Sequence, residues 1–449
     1  MNTTTSTKPV ASTPALWRNR NYLLWLGSDT CSALGIALHS FAIPLLALIA
    51  TNSPAQAGII GAVGMLGRML FTLPGGVLAD RHNRRRLMLI GGASGTAIGL
   101  GLVAAAATGS LTFWVLLTLH LLMSVRNGLF GSASDAALKD LLPETQLGSA
   151  LAANQGRDAV VSLAGGPLGG ILLAISQTLT MATITTIHAA AVLFAKFMVL
   201  SSPTSLSKDV VATDRQKPVK GSGWAHGLVR ESGQGLKWLW HRKDLRAILV
   251  VSIIVNLGTN ASITSVIFAL QQRGESAATI GLVSASIGIG MLLGSTIAPA
   301  LIKRIPSGAL TCSGLLLAVA ALWILPFVEP IKTICVVLAF SLLGAPAINA
   351  GIGGYFMAAV PTELLGRATS ASSLMSMAAL PLAPLIAGFG FPLWGWSGLL
   401  AFCATITTLA GIIALTNKPL RTLPGPDRWA ERAAAYVAVP EDSFRSRKD

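Results

Sequence analysis

Twelve apolar runs, each about 20 residues long, set the limits on how this chain can fold, because that is the length an α-helix needs to cross about 30 Å of hydrocarbon. They lie near residues 22–49, 56–79, 87–108, 112–135, 149–175, 180–200, 247–270, 278–301, 309–327, 332–358, 368–390 and 393–416. With 52% hydrophobic residues, 11% charged residues and a mean hydropathy of +0.66, the chain is too apolar for a soluble globular protein. The expected fold class is an all-α integral membrane protein with twelve transmembrane helices.

A net charge of +15 raises the question of nucleic acid, and the placement of the charge answers it. Arg18, Arg20, Arg81 to Arg86, Lys139, a basic run from Lys208 to Arg246, Lys303, Arg304, Arg367 and the C-terminal tail all fall on the side that holds both termini. The other side keeps Arg273 and Lys332, each with an acidic neighbour, Glu275 and Glu329. The positive-inside rule therefore predicts a multi-pass protein of the inner (cytoplasmic) membrane with both termini cytoplasmic, and a basic surface that faces anionic lipid rather than nucleic acid. Residues 1–15 read as a disordered cytosolic start with no cleaved signal peptide. Cys31, Cys312, Cys335 and Cys403 lie inside apolar runs without metal-ligand spacing, so no metal is expected.

The chain repeats itself. Leu142-Pro143-Glu144 through Ala150 returns as Val360-Pro361-Thr362 through Ala368, an offset of 218 residues. The same offset carries Gly76 onto Gly294 and Arg85-Arg86 onto Lys303-Arg304. Two six-helix bundles are expected, residues 16–200 and 247–416, entering the membrane from the same side as parallel repeats do. Residues 201–246 form a cytosolic linker, within which Trp224 to Arg242 reads either as an amphipathic helix on the inner leaflet or as a solvated connection. Residues 417–449 read as a cytosolic tail.

Between the second and third runs lies Gly75-Gly76-Val77-Leu78-Ala79-Asp80-Arg81-His82-Asn83-Arg84-Arg85-Arg86, a very short turn loaded with arginine. Its order of Gly, three residues, Asp, Arg, two residues and Arg-Arg resembles the signature loop of the major facilitator superfamily. With the Pro-Glu turn before Leu147, it looks most like the bacterial drug, macrolide and siderophore efflux branch that includes enterobactin-exporter-like proteins. Asn83 stands where the family pattern has Gly, and it tolerates the left-handed conformation such a turn is expected to need. The resemblance implies alternating access, with Gly76, Asp80, Arg81, Arg84 and Arg85 gating the cytosolic side. Asp80 would cap the span that begins near Arg367.

Ionisable residues inside hydrocarbon cost at least about 2.5 kcal/mol each and mark function by default. The first half carries Asp29, Arg68, Arg126, Arg157 and Asp158; the positions 218 residues on are uncharged, so the second half is expected to bury none. Counted from the cytosolic ends of their runs, Asp29, Arg126, Arg157 and Asp158 fall at one depth; the resemblance, which implies that the first, fourth and fifth helices are neighbours, makes them a single matched network that protonation of an acid would unbalance. Arg126-Asn127-Gly128-Leu129-Phe130-Gly131 also resembles the arginine motif of proton-coupled superfamily members. The equally physical alternative is a static salt bridge.

In the fifth run, Gly165-Gly166-Pro167-Leu168-Gly169-Gly170 resembles the antiporter motif of drug exporters. The glycines allow close helix approach and Pro167 bends the helix, so Gly166, Pro167 and Gly170 join the gating set. Candidate substrate-binding residues are His39, Arg68, Asn256, Asn260, Phe268, Asn349 and Tyr355; helix-packing hydrogen bonds explain the asparagines equally well.

The leading expectation is a proton-coupled exporter of a small organic molecule, siderophore or drug-like, using the proton gradient and no cofactor, and working as a monomer. An anionic or zwitterionic substrate is at least as compatible as a lipophilic cation, since three arginines face two aspartates. The alternatives are an importer or facilitator of an organic acid or lysolipid, and a transport-dead membrane sensor. The absence of His-Glu-x-x-His, of a Gly-x-Ser-x-Gly elbow and of a phosphate loop argues against an enzyme.

Overall fold

Short polar residues start five of the six helices of the first half and one of the long helices of the second. Asn19, Ser53, Asn83, Thr112, Ser176 and Ser276 each accept a hydrogen bond from a backbone N–H in the first turn that follows, satisfying a donor the helix leaves orphaned. The computed structural model describes residues 16–199 and 236–436. In the first half the helices are α1 Arg20–Thr51, α2 Pro54–Arg81, α3 Arg84–Ala107, α4 Phe113–Leu141, α5 Glu144–Ile175 and α6 Gln177–Phe197. In the second they are α7 Lys243–Gln272, α8 Ala277–Arg304, α9 Ser307–Ile324, α10 Ile331–Leu343, α11 Ala345–Ala359, α12 Thr362–Ala378 and α13 Leu382–Thr416, followed by the short α14 Lys418–Arg421 and α15 Trp429–Ala435.

Among the described residues, eleven apolar helical stretches are long enough to cross a membrane, and the last, Leu364–Thr416, is 53 residues long, enough for two crossings. The break is at Gly395, whose φ of 62° only glycine adopts without strain. A Cβ added to Gly390 would sit 2.6 Å from Leu399 Cδ1, a contact that a straight helix, with about 13 Å of rise between those residues, forbids. The chain therefore turns back there, and twelve crossings result. The tenth is interrupted between Leu343 and Ala345, next to Pro346, and the eleventh between Ala378 and Leu382, at Pro381, as expected where proline removes a donor and crowds the preceding turn.

The repeat is real but its register drifts. α10 and α12 begin 218 residues after α4 and α5, whereas α7, α8 and α9 begin 223 after α1, α2 and α3. The difference is absorbed by α9, which has 18 residues against 24 in α3. Lys303-Arg304 thus correspond to Asp80-Arg81 rather than to Arg85-Arg86, and Asp29 corresponds to Ser252.

Both halves leave their arginine-rich loops at one end, here the basic end. At the opposite, far end the halves are in contact. Gly170 lies against the Ala277 carbonyl, Gly58 against that of Pro384, and a Cβ on Gly166 would stand 2.5 Å from Ser284 Cβ. One apolar core runs through this end, joining Leu45, Leu46 and Ile60 with Phe268, Ile280 and Leu400. At the basic end the core splits into one cluster around Tyr22, Trp25 and Leu138 and another around Leu245, Tyr355 and Leu420. A Cβ on Gly148, Gly156 or Gly366 would touch nothing within 4 Å. Among the described residues, the halves are closed together at the far end and packed as separate clusters, open to one another, at the basic end.

The linker and the terminal segments lie largely outside the described residues; of the expected amphipathic stretch, residues 236–241 are helical. Residues 417–436 are tied down rather than trailing. Leu420 and Leu423 are fully buried, and the Trp429 indole covers Gly354 while donating to Ser307 Oγ at 3.1 Å.

Candidate functional site

Close helix contact in the first half places its charges. α1 and α5 approach where Gly165 faces Ala37 and Gly169 faces Phe41, which brings Asp29 and Arg157 within reach of one another. Arg157 Nη1 is 2.5 Å from Asp29 Oδ2, and Nη2 is 2.7 Å from Asp158 Oδ1. The Asp29 and Arg157 side chains are 17% and 15% exposed; that of Asp158 is 58% exposed. Asp135 of α4 joins them, in electrostatic contact with Asp29, Asp158 and Arg157. Two carboxylates therefore pair with the Arg157 guanidinium, and a third, Asp135, lies nearby with Lys139 as a second cation.

Arg126 is absent from this cluster, contrary to the single network expected from depth and from the helix neighbours that the resemblance implied. α4 continues to Leu141, six residues past the apolar run. Arg126 is thus 15 residues from the basic end of its helix, about 22 Å by helical rise, whereas Asp29 is about 14 Å from its own. The same continuation carries Asp135 into the carboxylate layer. The signal for it lies in Ala136, Ala137, Leu138, Leu141 and Leu142, which prolong the helical pattern.

Arg126 belongs instead to a layer of histidines in the core of the bundle. Its Nε donates to the Gly91 carbonyl at 2.6 Å and its Nη1 to Asn127 Oδ1 at 2.7 Å. His39 of α1 and His120 of α4 share a hydrogen bond of 3.0 Å, Nε2 to Nδ1. His188 of α6 is fully buried, with neither ring nitrogen partnered. Glycines make the room: Gly35 faces the His188 ring, Gly64 the His120 ring, and a Cβ on Gly95 would stand 3.2 Å from Arg126 Cζ and 3.3 Å from His188 Cγ.

The arginine loop acts mainly within its own half. Arg84 pairs with Asp140 and donates to the Ala136 carbonyl at 2.9 Å. Arg85 donates to the carbonyls of Ala195 and Lys196 at 3.2 and 2.5 Å. Cations thus cover carbonyls near the C-terminal ends of α4 and α6, where the helix dipole is negative. Asn83 is extended, with φ −63°, and caps α3 through Arg86 N, so the turn needs no left-handed residue. Gly75, not Gly76, is the sterically required glycine: it lies on the Gly128 carbonyl, while Gly76 has nothing within 4 Å. Asp80 and Arg81 are exposed, and Asp80 has no ion pair among the described residues.

The Major Facilitator Superfamily model matches residues 27–328 and 248–445. The chain belongs to that superfamily. Its similarity to characterised facilitators is spread along its length. It is 26% identical over 419 residues to the multidrug efflux pump Tap of Mycobacterium tuberculosis H37Rv, covering 89% of this chain and 94% of Tap. It is 22% identical over 295 residues to macrolide efflux protein A of Streptococcus pyogenes, covering 62% of this chain and 65% of that one. Among solved structures, the nucleoside transporter NupG superposes with a TM-score of 0.64 at 13% identity, over 87% of this chain and 98% of NupG, which speaks to fold alone.

The remaining candidates of this facilitator divide. Arg68 follows Gly61 by seven residues, about 20° around α2, and a Cβ on Gly61 would stand 3.1 Å from Pro384 in the second half. Arg68 therefore faces the second half, about 10 Å nearer the basic end, where the halves have parted; it is exposed and has no ion pair among the described residues. Asn349 is exposed. Asn260 Nδ2 donates to the Asn256 carbonyl at 2.8 Å, and Asn256 Nδ2 reaches the Ser376 carbonyl at 3.4 Å, tying α7 to α12. Phe268 and Tyr355 are fully buried and line no opening. Phe268 belongs to the far-end core.

Tyr355 donates its phenol proton to Asp244 Oδ2 at 2.5 Å, and Arg242 forks onto the same carboxylate at 3.1 and 2.9 Å. The second half therefore does bury an acid, at the first turn of α7. In the sequence it falls within the linker, because the apolar run begins only after it.

Proposed function

We propose that the chain is a proton-coupled exporter of amphiphilic, drug-like molecules, working by alternating access in the cytoplasmic membrane with its basic end in the cytoplasm. The observation that carries this reading is the cluster of Asp29, Arg157, Asp158 and Asp135, placed in the half of the bundle that is open at the basic end. Each acid there is a place for a proton, and neutralising Asp29 would release the Arg157 guanidinium from its partner. Three carboxylates against two cations, Arg157 and Lys139, leave a net negative charge that favours a substrate with a cationic group. The efflux function of Tap and of macrolide efflux protein A supports the direction of transport.

A second reading, export of an anionic or zwitterionic compound such as a siderophore, is favoured by Arg68, a cation facing the parted halves without an acidic partner. The energy source in either case is the proton gradient, and a single chain is sufficient.

The test is transport in proteoliposomes with a pH-sensitive dye inside, adding ethidium, a macrolide and a catechol siderophore in turn, with wild type and Asp29→Asn. Substrate-evoked proton movement that is lost in Asp29→Asn is the expected result. Flux without proton movement would make the chain a facilitator; binding without flux would make it a sensor.

A further inference from the structure

Three imidazoles and one guanidinium fill the middle of the first bundle, apart from the carboxylate cluster. His39 and His120 spend one ring nitrogen each on their mutual hydrogen bond, while His39 Nδ1 and both nitrogens of His188 are buried without a partner. We propose that His39, His120 and His188 form a second proton-binding site, and that Arg126 is the counter-charge whose position decides whether that site fills. The proposal rests on the proton-coupled reading above.

Three features support it. First, space for the rings is built from five helices: Gly35 of α1, Gly64 of α2 and Gly95 of α3 leave out the side chains that would displace His188 of α6 and His120 of α4. Second, the groups acting electrostatically on His39 are His120, His188 and Arg126. α2 and α3 face the cluster with Gly64, Gly91 and Gly95, and α5 faces this stretch of α1 with Gly165 and Gly169, so among the described residues no carboxylate adjoins the rings. A proton here would sit beside the Arg126 charge with nothing to offset it. Third, Arg126 is held by two neutral acceptors, the Gly91 carbonyl and Asn127 Oδ1. It leaves without breaking an ion pair.

The step is simple addition. A proton joins the lone pair of a free ring nitrogen, the mutual hydrogen bond lets the charge pass between His39 and His120 by tautomer exchange, and the same proton departs when Arg126 returns. With Arg126 on Gly91 and the basic end open, the structure is the unloaded form. Transport would then carry one proton at the Asp29 cluster and another at the histidines.

The experiment has two arms on the full chain. In nanodiscs, ring 15N resonances of labelled histidine are followed from about pH 4 to 8 in wild type, Asp29→Asn and Arg126→Gln. The expected result is a step from these three rings that persists in Asp29→Asn and whose midpoint moves by about one pH unit or more in Arg126→Gln. In proteoliposomes with ethidium and an internal pH dye, the paired variant His39→Asn, His120→Gln is expected to lower protons moved per ethidium about twofold. Rings that do not titrate in wild type or Arg126→Gln, or an unchanged proton-to-ethidium ratio in a coupled protein, overturn this inference alone. Wild type moving ethidium with no protons overturns it together with the coupled reading. The resonance arm uses no substituted histidine, so it tests the site even where the paired variant fails to fold.

Discussion

Asp29 of α1 and Arg157 of α5 form an ion pair of 2.5 Å that is about five-sixths buried on each side, whereas Asp158, the second partner of the same guanidinium, is more than half exposed. The two acids differ in energetic weight for that reason. Asp29→Asn leaves a largely buried guanidinium with one exposed partner, and a loss of order 3 kcal/mol is expected. Asp158→Asn removes an exposed contact and is expected to cost under about 1 kcal/mol. Apparent melting temperatures of the two variants in detergent check the order; equal shifts would sink this weighting.

The two glycines of the arginine loop separate cleanly. Gly75→Ala drives a methyl into the Gly128 carbonyl and is expected to destabilise by about 1–3 kcal/mol, since two backbones must move apart. Gly76→Ala meets open space and is expected to be neutral or to stabilise by up to about 1 kcal/mol through helix propensity. Thermal melts of the pair distinguish a steric role at 75 from one at 76.

Far-end closure depends on bare backbone. Gly170 lies on the Ala277 carbonyl and Gly388 on that of Pro54, so Gly170→Leu is expected to wedge α5 from α8 and favour the conformation opened at the far end. Spin labels at Gly148 and Gly366, both free of contacts at the basic end, should report a shorter distance in that variant. An unchanged distance would mean that the far-end contacts do not gate.

At the start of α7, Asp244 is fully buried between Arg242 and Tyr355. Tyr355→Phe removes one donor and is expected to cost about 1–3 kcal/mol. Asp244→Asn leaves Arg242 without its acid and is expected to cost more, of order 3–5 kcal/mol. Transport should track stability in both variants, because neither residue faces the opening between the halves; a transport defect at full stability would assign the cluster a direct role.

Membership in the superfamily, the twelve crossings and the two-fold repeat were legible in the sequence, since apolar length, arginine placement and the loop pattern are local properties. So was the set of intramembrane charges that need partners, Asp29 and Arg157 among them, since opposite charges in hydrocarbon pair; the sequence left open whether Asp29 meets Arg157 or Arg126. The helix ends were less legible. A helix continues past its apolar run wherever tertiary contacts cover its polar turns, and this one fact moved Arg126 out of the carboxylate layer, brought Asp135 into it and hid Asp244 in an apparent linker.

What the sequence alone determined is which segments cross the membrane, which end carries the basic charge and which residues are too polar to lie in lipid without a partner. What only the tertiary structure decided is which of those residues meet. Gly64 makes room for His120, Gly75 for the α4 backbone and Gly170 for the second half, and no local pattern distinguishes them from Gly76, which makes room for nothing. A glycine's role is fixed by what stands opposite its missing side chain, and that is a property of helix packing.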